Sequence, residues 1–153
     1  MNENSILFTE LNLTEGKIYG FGFSEDNFEL YLDIDYVKDC KLDGNSSFVL
    51  ASSTLVFKNV NDLKIDLAHY SLAIVIDDII RQNPCKPKNA KYVEGIEYDW
   101  NIETINGCIS FKSIGLDLYI RNTTPYGINS ELTLTERGGI SFSKEGKLLR
   151  IID

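Results

Sequence analysis

The stretch KIYGFGFSEDNFELYLDIDYV, residues 17–37, alternates apolar and polar side chains on both sides of a short acidic break. Leu30, Leu32, Ile34 and Tyr36 fall on one side of an extended chain, and Glu29, Tyr31, Asp33 and Asp35 on the other. A period of two sustained this long predicts strands, and Glu25-Asp26-Asn27 predicts the turn of a hairpin. Any even-length loop there sets Tyr19, Phe21 and Phe23 beside Leu30, Leu32 and Ile34. Gly20 and Gly22 then lie on the outer face, beside Tyr31 and Asp33. Glycine weakens a strand, so two on one face ask for something close above them. The Tyr31 ring laid across them is the commoner solution; another backbone or a ligand is the alternative.

The same period runs outward through the chain. It predicts further strands over 5–13, 47–58, 62–68, 71–81, 96–105, 108–114, 116–121, 130–136, 139–143 and 147–152. The stretch 71-SLAIVIDDIIRQNP-84 admits a helix capped by Ser71, but its β-branched residues favour extended backbone. The prolines and lysines of 83-NPCKPKNAKY-92 mark a long loop. A second hairpin is drawn in 96-IEYDWNIETINGCISF-111, with Asn106-Gly107 as a type I′ turn. That register opposes Ile105 to Cys108 and Ile102 to Phe111. It gathers Tyr98, Trp100 and Ile102 on the apolar face and Glu97, Asp99, Asn101 and Glu103 on the other. The expected fold is mainly β, an antiparallel β-sandwich or curved two-layer sheet with at most one short helix, in a single domain over 1–153. Phe21, Leu32, Ile34, Leu55, Phe57, Ile65, Ile74, Ile76, Trp100, Ile102 and Phe111 are its expected inner residues.

With 153 residues and 43% hydrophobic content the chain can bury a core without staples. Its formal net charge of −8 repels phosphate backbones and anionic membranes and would draw a basic protein partner. Cys40, Cys85 and Cys108 show no C-x-x-C pair and read as buried, reduced thiols of a cytoplasmic protein, not a disulfide frame. The opening MNENSILFTEL lacks the basic-then-apolar pattern of a leader, and the longest apolar run, 72-LAIVI-76, is too short to span a bilayer.

No cofactor, metal or catalytic set is expected. The single histidine, His69, sits in 66-DLAHYSL-72 without an oriented partner in sequence, and reads as a turn residue. The glycines of 20-GFG-22 and Gly138-Gly139 match no phosphate loop. A calcium-loop reading of 39-DCKLDGNSS-47 fails at Lys41 and Leu50, leaving a turn. Asp33 and Asp35 are spaced about 6.5–7 Å along a strand, a distance that glycosidase chemistry tolerates, but the pattern indicates no cleft. Their face reads instead as solvent-facing, with Tyr31, Asp33, Asp35, Glu97, Asp99 and Glu103 as the partner-binding acidic rows. Glu136-Arg137-Gly138-Gly139 reads as a strand-ending turn that leaves Arg137 to pair a neighbouring acid. The leading expectation is therefore a non-catalytic acidic binding module. A structural domain self-associating through a strand edge is the alternative, and a carboxylate-dependent hydrolase the third.

The segments 51-ASSTLVFKNVNDLKIDL-67, 97-EYDWNIETINGCISFKSIGLDLYIR-121 and 136-ERGGISF-142 resemble a family of small uncharacterised bacterial β-rich proteins. Its signatures are an ATLVF-x-NV-x-DL strand pair, a Y-D-W-x-I-E strand and a G-x-I-S-F…Y-I-R segment; Ser52-Ser53 departs from the start of the first. The resemblance implies a β-rich fold and carries no functional residues across. A looser likeness, to immunity-type proteins that neutralise secreted toxins, implies an inhibitor of a basic protein.

Overall fold

The computed structural model describes residues 4–42, 45–68, 73–126 and 134–153. Within them the chain forms β1 (Ser5–Leu7), β2 (Lys17–Ser24), β3 (Glu29–Leu42), β4 (Asn45–Lys58) and β5 (Asn61–Leu67). It continues through β6 (Ile74–Cys85), β7 (Glu97–Thr104), β8 (Gly107–Ser113), β9 (Gly115–Tyr126) and β10 (Lys147–Ile152). A 3₁₀ turn at Phe8–Glu10 and one helical turn at Leu134–Arg137 complete the regular structure. The protein is mainly β, as its period of two dictates.

All ten strands belong to one open sheet in the order β1-β10-β9-β4-β3-β2-β6-β7-β8-β5. The sheet is mixed rather than wholly antiparallel, because β1 lies parallel to β10, the pair being secured by Arg150 N–H donating to the Asn4 carbonyl at 2.8 Å. Parallel neighbours cannot be joined by a tight turn, and these two come from opposite ends of the described chain.

Among the described residues, strand pairing between the half from β1 to β2 and the half containing β6, β7, β8 and β5 is limited to Lys17↔Val75 and Ile18↔Ile74. One hydrophobic core draws on both. Leu30, Leu32, Ile34, Leu55, Phe57 and Leu118 come from the first half, and Ile76, Trp100, Ile102, Ile109 and Phe111 from the second. The Phe57 ring meets Phe111 at 4.6 Å and Trp100 at 5.2 Å, both edge-on, the geometry that aromatic quadrupoles favour. The buried Trp100 N–H is not stranded: it donates to the Ser113 carbonyl at 3.0 Å.

Two corners carry the chain between the halves, and both are fastened to the chain at Lys58 or beside it. Asn59 takes a φ of 51°, and Val60 N–H then donates to the Phe28 carbonyl at 2.7 Å. After β8, the Ser113 hydroxyl donates to the Lys58 carbonyl at 2.6 Å and Ile114 N–H to the same oxygen at 3.1 Å.

Several elements differ from the pattern in sequence. Of the strand expected over 71–81, residues 71 and 72 lie outside the described residues, and β6 is extended from Ile74 to Cys85, so the long loop begins later than residue 83. The strand expected over 5–13 stops at Leu7, where the 3₁₀ turn begins. Of the strand expected over 130–136, residues 130–133 lie outside the described residues, and Leu134–Arg137 is helical. The strand expected over 139–143 does not form: residue 139 is a bend and 140–143 have no regular structure. Gly138 and Gly139, at φ of 80° and 86°, end the helical turn there. His69 also lies outside the described residues.

The β7–β8 hairpin turns one position earlier than drawn. Thr104 opposes Gly107 and Ile102 opposes Ile109, so the turn residues are Ile105-Asn106. A shift of two preserves parity, so every side chain keeps its expected face. Gly107 is needed at the start of β8 and not in the turn. Its φ is 137°, and a Cβ there would lie 2.0 Å from the Asp66 carbonyl oxygen. Phe21 and Ile65, expected inside, are 39% and 42% exposed. Among the described residues β2 pairs with β6 only at Lys17 and Ile18, well short of Phe21, and β5 is the last strand of the sheet, which leaves Ile65 at its edge.

Candidate functional site

The acidic face of β3 is not open to solvent. Asp33 is fully buried and Asp35 nearly so, which corrects the solvent-facing expectation for both. Their charge is met from within the chain, as buried carboxylates require. Arg137 places its guanidinium between them: Nη1 and Nη2 donate to Asp33 at 3.0 and 2.9 Å, and Nε donates to Asp35 Oδ1 at 2.9 Å. Nη2 also donates to the Ile34 carbonyl at 2.9 Å. Arg121, from β9, donates to Asp33 as well and to the Ser53 carbonyl at 3.2 Å.

A bulge in β2 completes this cage. The β2–β3 register slips between Ile18 and Gly20, so Ile18 rather than Tyr19 takes the core side. A bulge re-aims a side chain, and Tyr19 lands on the acidic face. Its hydroxyl donates to Asp35 Oδ2 at 2.7 Å, and its ring stacks under the Arg137 guanidinium at 3.7 Å. Burial disfavours the charge on Arg137, but its bonds to Asp33 and Asp35 outweigh that and raise its pKa.

From this anchor, residues 138–146 cross the face of the sheet as a strap. Ser141 N–H donates to Asp33 at 3.0 Å, and the Thr54 hydroxyl donates to the Ser143 carbonyl at 2.7 Å. Lys144 binds Glu29 at 2.7 Å. Ile140 and Phe142 settle onto the two glycines: a Cβ on Gly20 would stand 3.1 Å from Ile140, and one on Gly22 3.3 Å from Phe142. The glycines therefore make room for a second stretch of backbone and its side chains, not for Tyr31. The Tyr31 ring lies beside Phe142, centroids 6.3 Å apart, and its hydroxyl donates to Glu29. Burial alone would raise the pKa of Glu29, but Lys144 and Tyr31 hold it below the usual carboxylate range. Burial and the neighbouring Glu29 push the Tyr31 phenol up.

The other row named from sequence is split. Glu97 is buried, accepting a hydrogen bond from Asn61 at 3.0 Å. Asp99 lies on the outer face of β7, held by Lys112 and by Asn83 at 2.9 Å; these contacts lower its pKa and that with Lys112 raises the pKa of the lysine. Glu103 shares that face, partly exposed, and accepts from Asn101 at 3.3 Å. Asp33 and Asp99 thus belong to different halves of the sheet.

On that outer face the pairing registers line up a row that the sequence reading missed. Asp66 on β5 opposes Cys108 on β8, which opposes Glu103 on β7, which opposes Asp78 on β6. Asp66 and Asp78 are exposed. Among the described residues none of these three carboxylates forms an ion pair with a lysine or arginine. Asp78 and Glu103 are like charges set directly opposite, which destabilises a sheet. Only the strand order reveals the row, because its members are scattered from 66 to 108. Cys108 and Cys85 are free thiols; Cys85 is exposed, not buried as expected.

Chemically, Asp33 and Asp35 are committed to Arg137, which leaves neither placed as a general acid or base. Among the described residues no group of three or more His, Cys, Asp or Glu could hold a metal ion. A cleft of about 220 Å³ opens between the 3₁₀ turn and β6, against Phe8, Leu13, Asp78 and Ile79. That is below the roughly 300–1,000 Å³ typical of small-molecule pockets. No helix among the described residues is long and apolar enough to cross a membrane. No protein family, no curated protein and no solved structure matches this chain.

Proposed function

We propose that this protein is a non-catalytic acidic binding module of the cytoplasm, an inhibitor or immunity-type protein that docks a basic protein through the outer face of β5, β8, β7 and β6. The observation that carries the reading is the row Asp66–Glu103–Asp78, with two acids directly opposed and, among the described residues, no ion pair from any of the three to a lysine or arginine. Such a row costs folding stability, and a basic partner that neutralises it would recover that cost on binding. Asp99 and Tyr31 stand at the margin of this role, both engaged by lysines. Asp33, Asp35 and Glu97 support it only from inside, by fixing the sheet. The same reading takes the fold as a curved two-layer sheet, supported by the Phe57 contacts with Trp100 and Phe111, so the docking face is the outer surface of one layer.

The test compares the native protein with Asp66→Asn/Asp78→Asn/Glu103→Gln as baits in lysate of the source cell, eluted stepwise with salt. A basic protein retained by the native bait, released as salt rises and absent from the variant, supports the reading. Retention by both baits alike removes this face from it.

A further inference from the structure

We propose that the cleft between the 3₁₀ turn and β6 is a lysine-binding subsite, taking an aliphatic stem against Phe8, Leu11, Leu13 and Ile79 and the ammonium on Asp78. The inference rests on the reading of the outer face as a docking surface for a basic protein, and names the side chain that would anchor there.

The cleft exists because a backbone ladder stops. Glu15 N–H donates to the Ile76 carbonyl and Ile76 N–H to the Gly16 carbonyl, each at 2.8 Å. There the pairing ends: Glu15 takes a φ of 69°, and Gly16 N–H turns back to the Leu13 carbonyl at 3.1 Å. β6 bulges at the same level, between Ile76 and Asp78. Among the described residues no backbone bond joins 8–14 to 77–79. The gap of about 220 Å³ is walled by Phe8, Leu11 and Ile79, half-buried against the core, and by the buried Leu13. At ~30 Å³ for each water-sized group it holds about seven, room for one long side chain and not for a cofactor.

Its charge is one-sided. The segments that form it, 8–15 and 77–79, carry Glu10, Glu15, Asp77 and Asp78 and no lysine or arginine. Among the described residues none of these four carboxylates has an ion pair. Arg81, further along β6, is committed elsewhere: its guanidinium lies 4.3 Å from the Phe8 ring and 4.5 Å from the Tyr98 ring and binds Asp153. The acidic row runs up to the cleft, because Asp78 is its last member and Glu103 stands opposite on β7. Such a field draws a cation and refuses an anion.

The carboxylate selects which cation. Asp78 Oδ1 accepts from Ile79 N–H at 2.8 Å, and Oδ2 has no donor among the described residues. One open oxygen suits the point charge of an ammonium better than the two-pronged fork of a guanidinium. Asp78 is exposed, so the ammonium keeps part of its hydration while the stem is buried, as long cationic side chains divide themselves. That spares the desolvation cost of a buried ion pair.

The experiment is a ¹H–¹⁵N NMR titration of the full chain at constant ionic strength with n-butylammonium, the lysine side chain without its backbone. Methylammonium and n-propylguanidinium are the comparison probes. The expected result is saturable shifts confined to the amides of 8–14 and 77–79, with n-propylguanidinium binding more weakly. Affinity should be at least about tenfold above methylammonium, from about fourfold per methylene fully buried. Asp78→Asn cuts it about tenfold without lowering the unfolding midpoint, since one of two opposed acids is gone. Asp66→Asn, about 14 Å away across the strands and beyond a Debye length, leaves it within about twofold. Methylammonium or n-propylguanidinium binding as tightly as n-butylammonium overturns the subsite, as does indifference to Asp78→Asn or the absence of saturable shifts at 8–14 and 77–79. Failure of the docking reading is a separate result: the native bait retains no basic protein while n-butylammonium still fills the cleft, which upholds the subsite and removes only the partner.

Discussion

Arg137→Met removes the guanidinium that ties the strap to β3 while keeping much of the side chain's volume. Four charge-assisted hydrogen bonds disappear, to Asp33 twice, Asp35 and the Ile34 carbonyl. At ~1.5–3 kcal/mol each their gross sum is about 6–12 kcal/mol. Most of that is consumed in desolvating the ions, and removal of one member of a buried pair costs about 3–5 kcal/mol. Asp33 retains Arg121 and the Ser141 N–H, and Asp35 retains Tyr19, which points to the lower end, ~3 kcal/mol. For a domain of this size that lowers Tm by roughly 6–12 °C. The measurement is urea and thermal unfolding of the native protein and the variant, with amide exchange across 140–145 followed in parallel. The expected variant loses the stated stability and its strap amides exchange faster, while those of β4 and β9 stay slow. Arg137→Met combined with Asp35→Asn should recover part of the loss, because Asp33 keeps Arg121 as its cation while Asp35 no longer leaves a charge without one. A loss below ~1 kcal/mol with an unchanged m value and a protected strap would falsify the anchoring role.

Three further outcomes follow from the same geometry. Gly138→Ala and Gly139→Ala meet no neighbouring atom within 4 Å, so each costs only the left-handed backbone, about 1 kcal/mol, read as a lower urea midpoint. Gly16→Ala is the severer glycine change, because its Cβ would lie 2.7 Å from the Asp35 carbonyl; about 1–3 kcal/mol is expected, against under ~1 kcal/mol for Gly22→Ala, where the Phe142 ring can tilt away. Glu29 has its pKa lowered in the folded state, so its stabilisation is complete above the unfolded value near ~4.3 and is lost as pH falls through the lower folded value. The Tm difference between the native protein and Glu29→Gln should therefore be largest above about pH 5 and shrink as pH falls below the unfolded value; a difference that grows on acidification contradicts the Lys144–Glu29 tie.

The strands were legible because the period of two is written in residues such as Leu30, Leu32 and Ile34, whose burial nothing else could satisfy. The faces of both hairpins, Tyr19 apart, were legible for the same reason, even where the turn at Ile105-Asn106 lay one position from the sequence choice. What failed was the step from polar to exposed. Asp33 and Asp35 look solvent-facing because their partner, Arg137, lies a hundred residues downstream, in a stretch read as a strand end. The signals were present: two glycines on the face of the acids, opposite Asp33 and Tyr31, and Arg137-Gly138-Gly139 at the start of a short apolar-polar run. Tyr19 could not be placed from pattern alone, since a bulge inverts the parity on which the pattern rests. The row Asp66–Glu103–Asp78 depends on strand order, which local periodicity does not encode.

The most direct test of the central claim, that the acids of β3 are internal anchors and the free acids lie on β5–β8, is carbodiimide labelling of carboxylates in the native protein, read site by site by mass spectrometry. Asp66, Asp78 and Glu103 should label readily, while Asp33, Asp35 and Glu97 stay unmodified until the protein is unfolded. Labelling of Asp33 and Asp35 at the rate of Asp78 under native conditions would contradict the account.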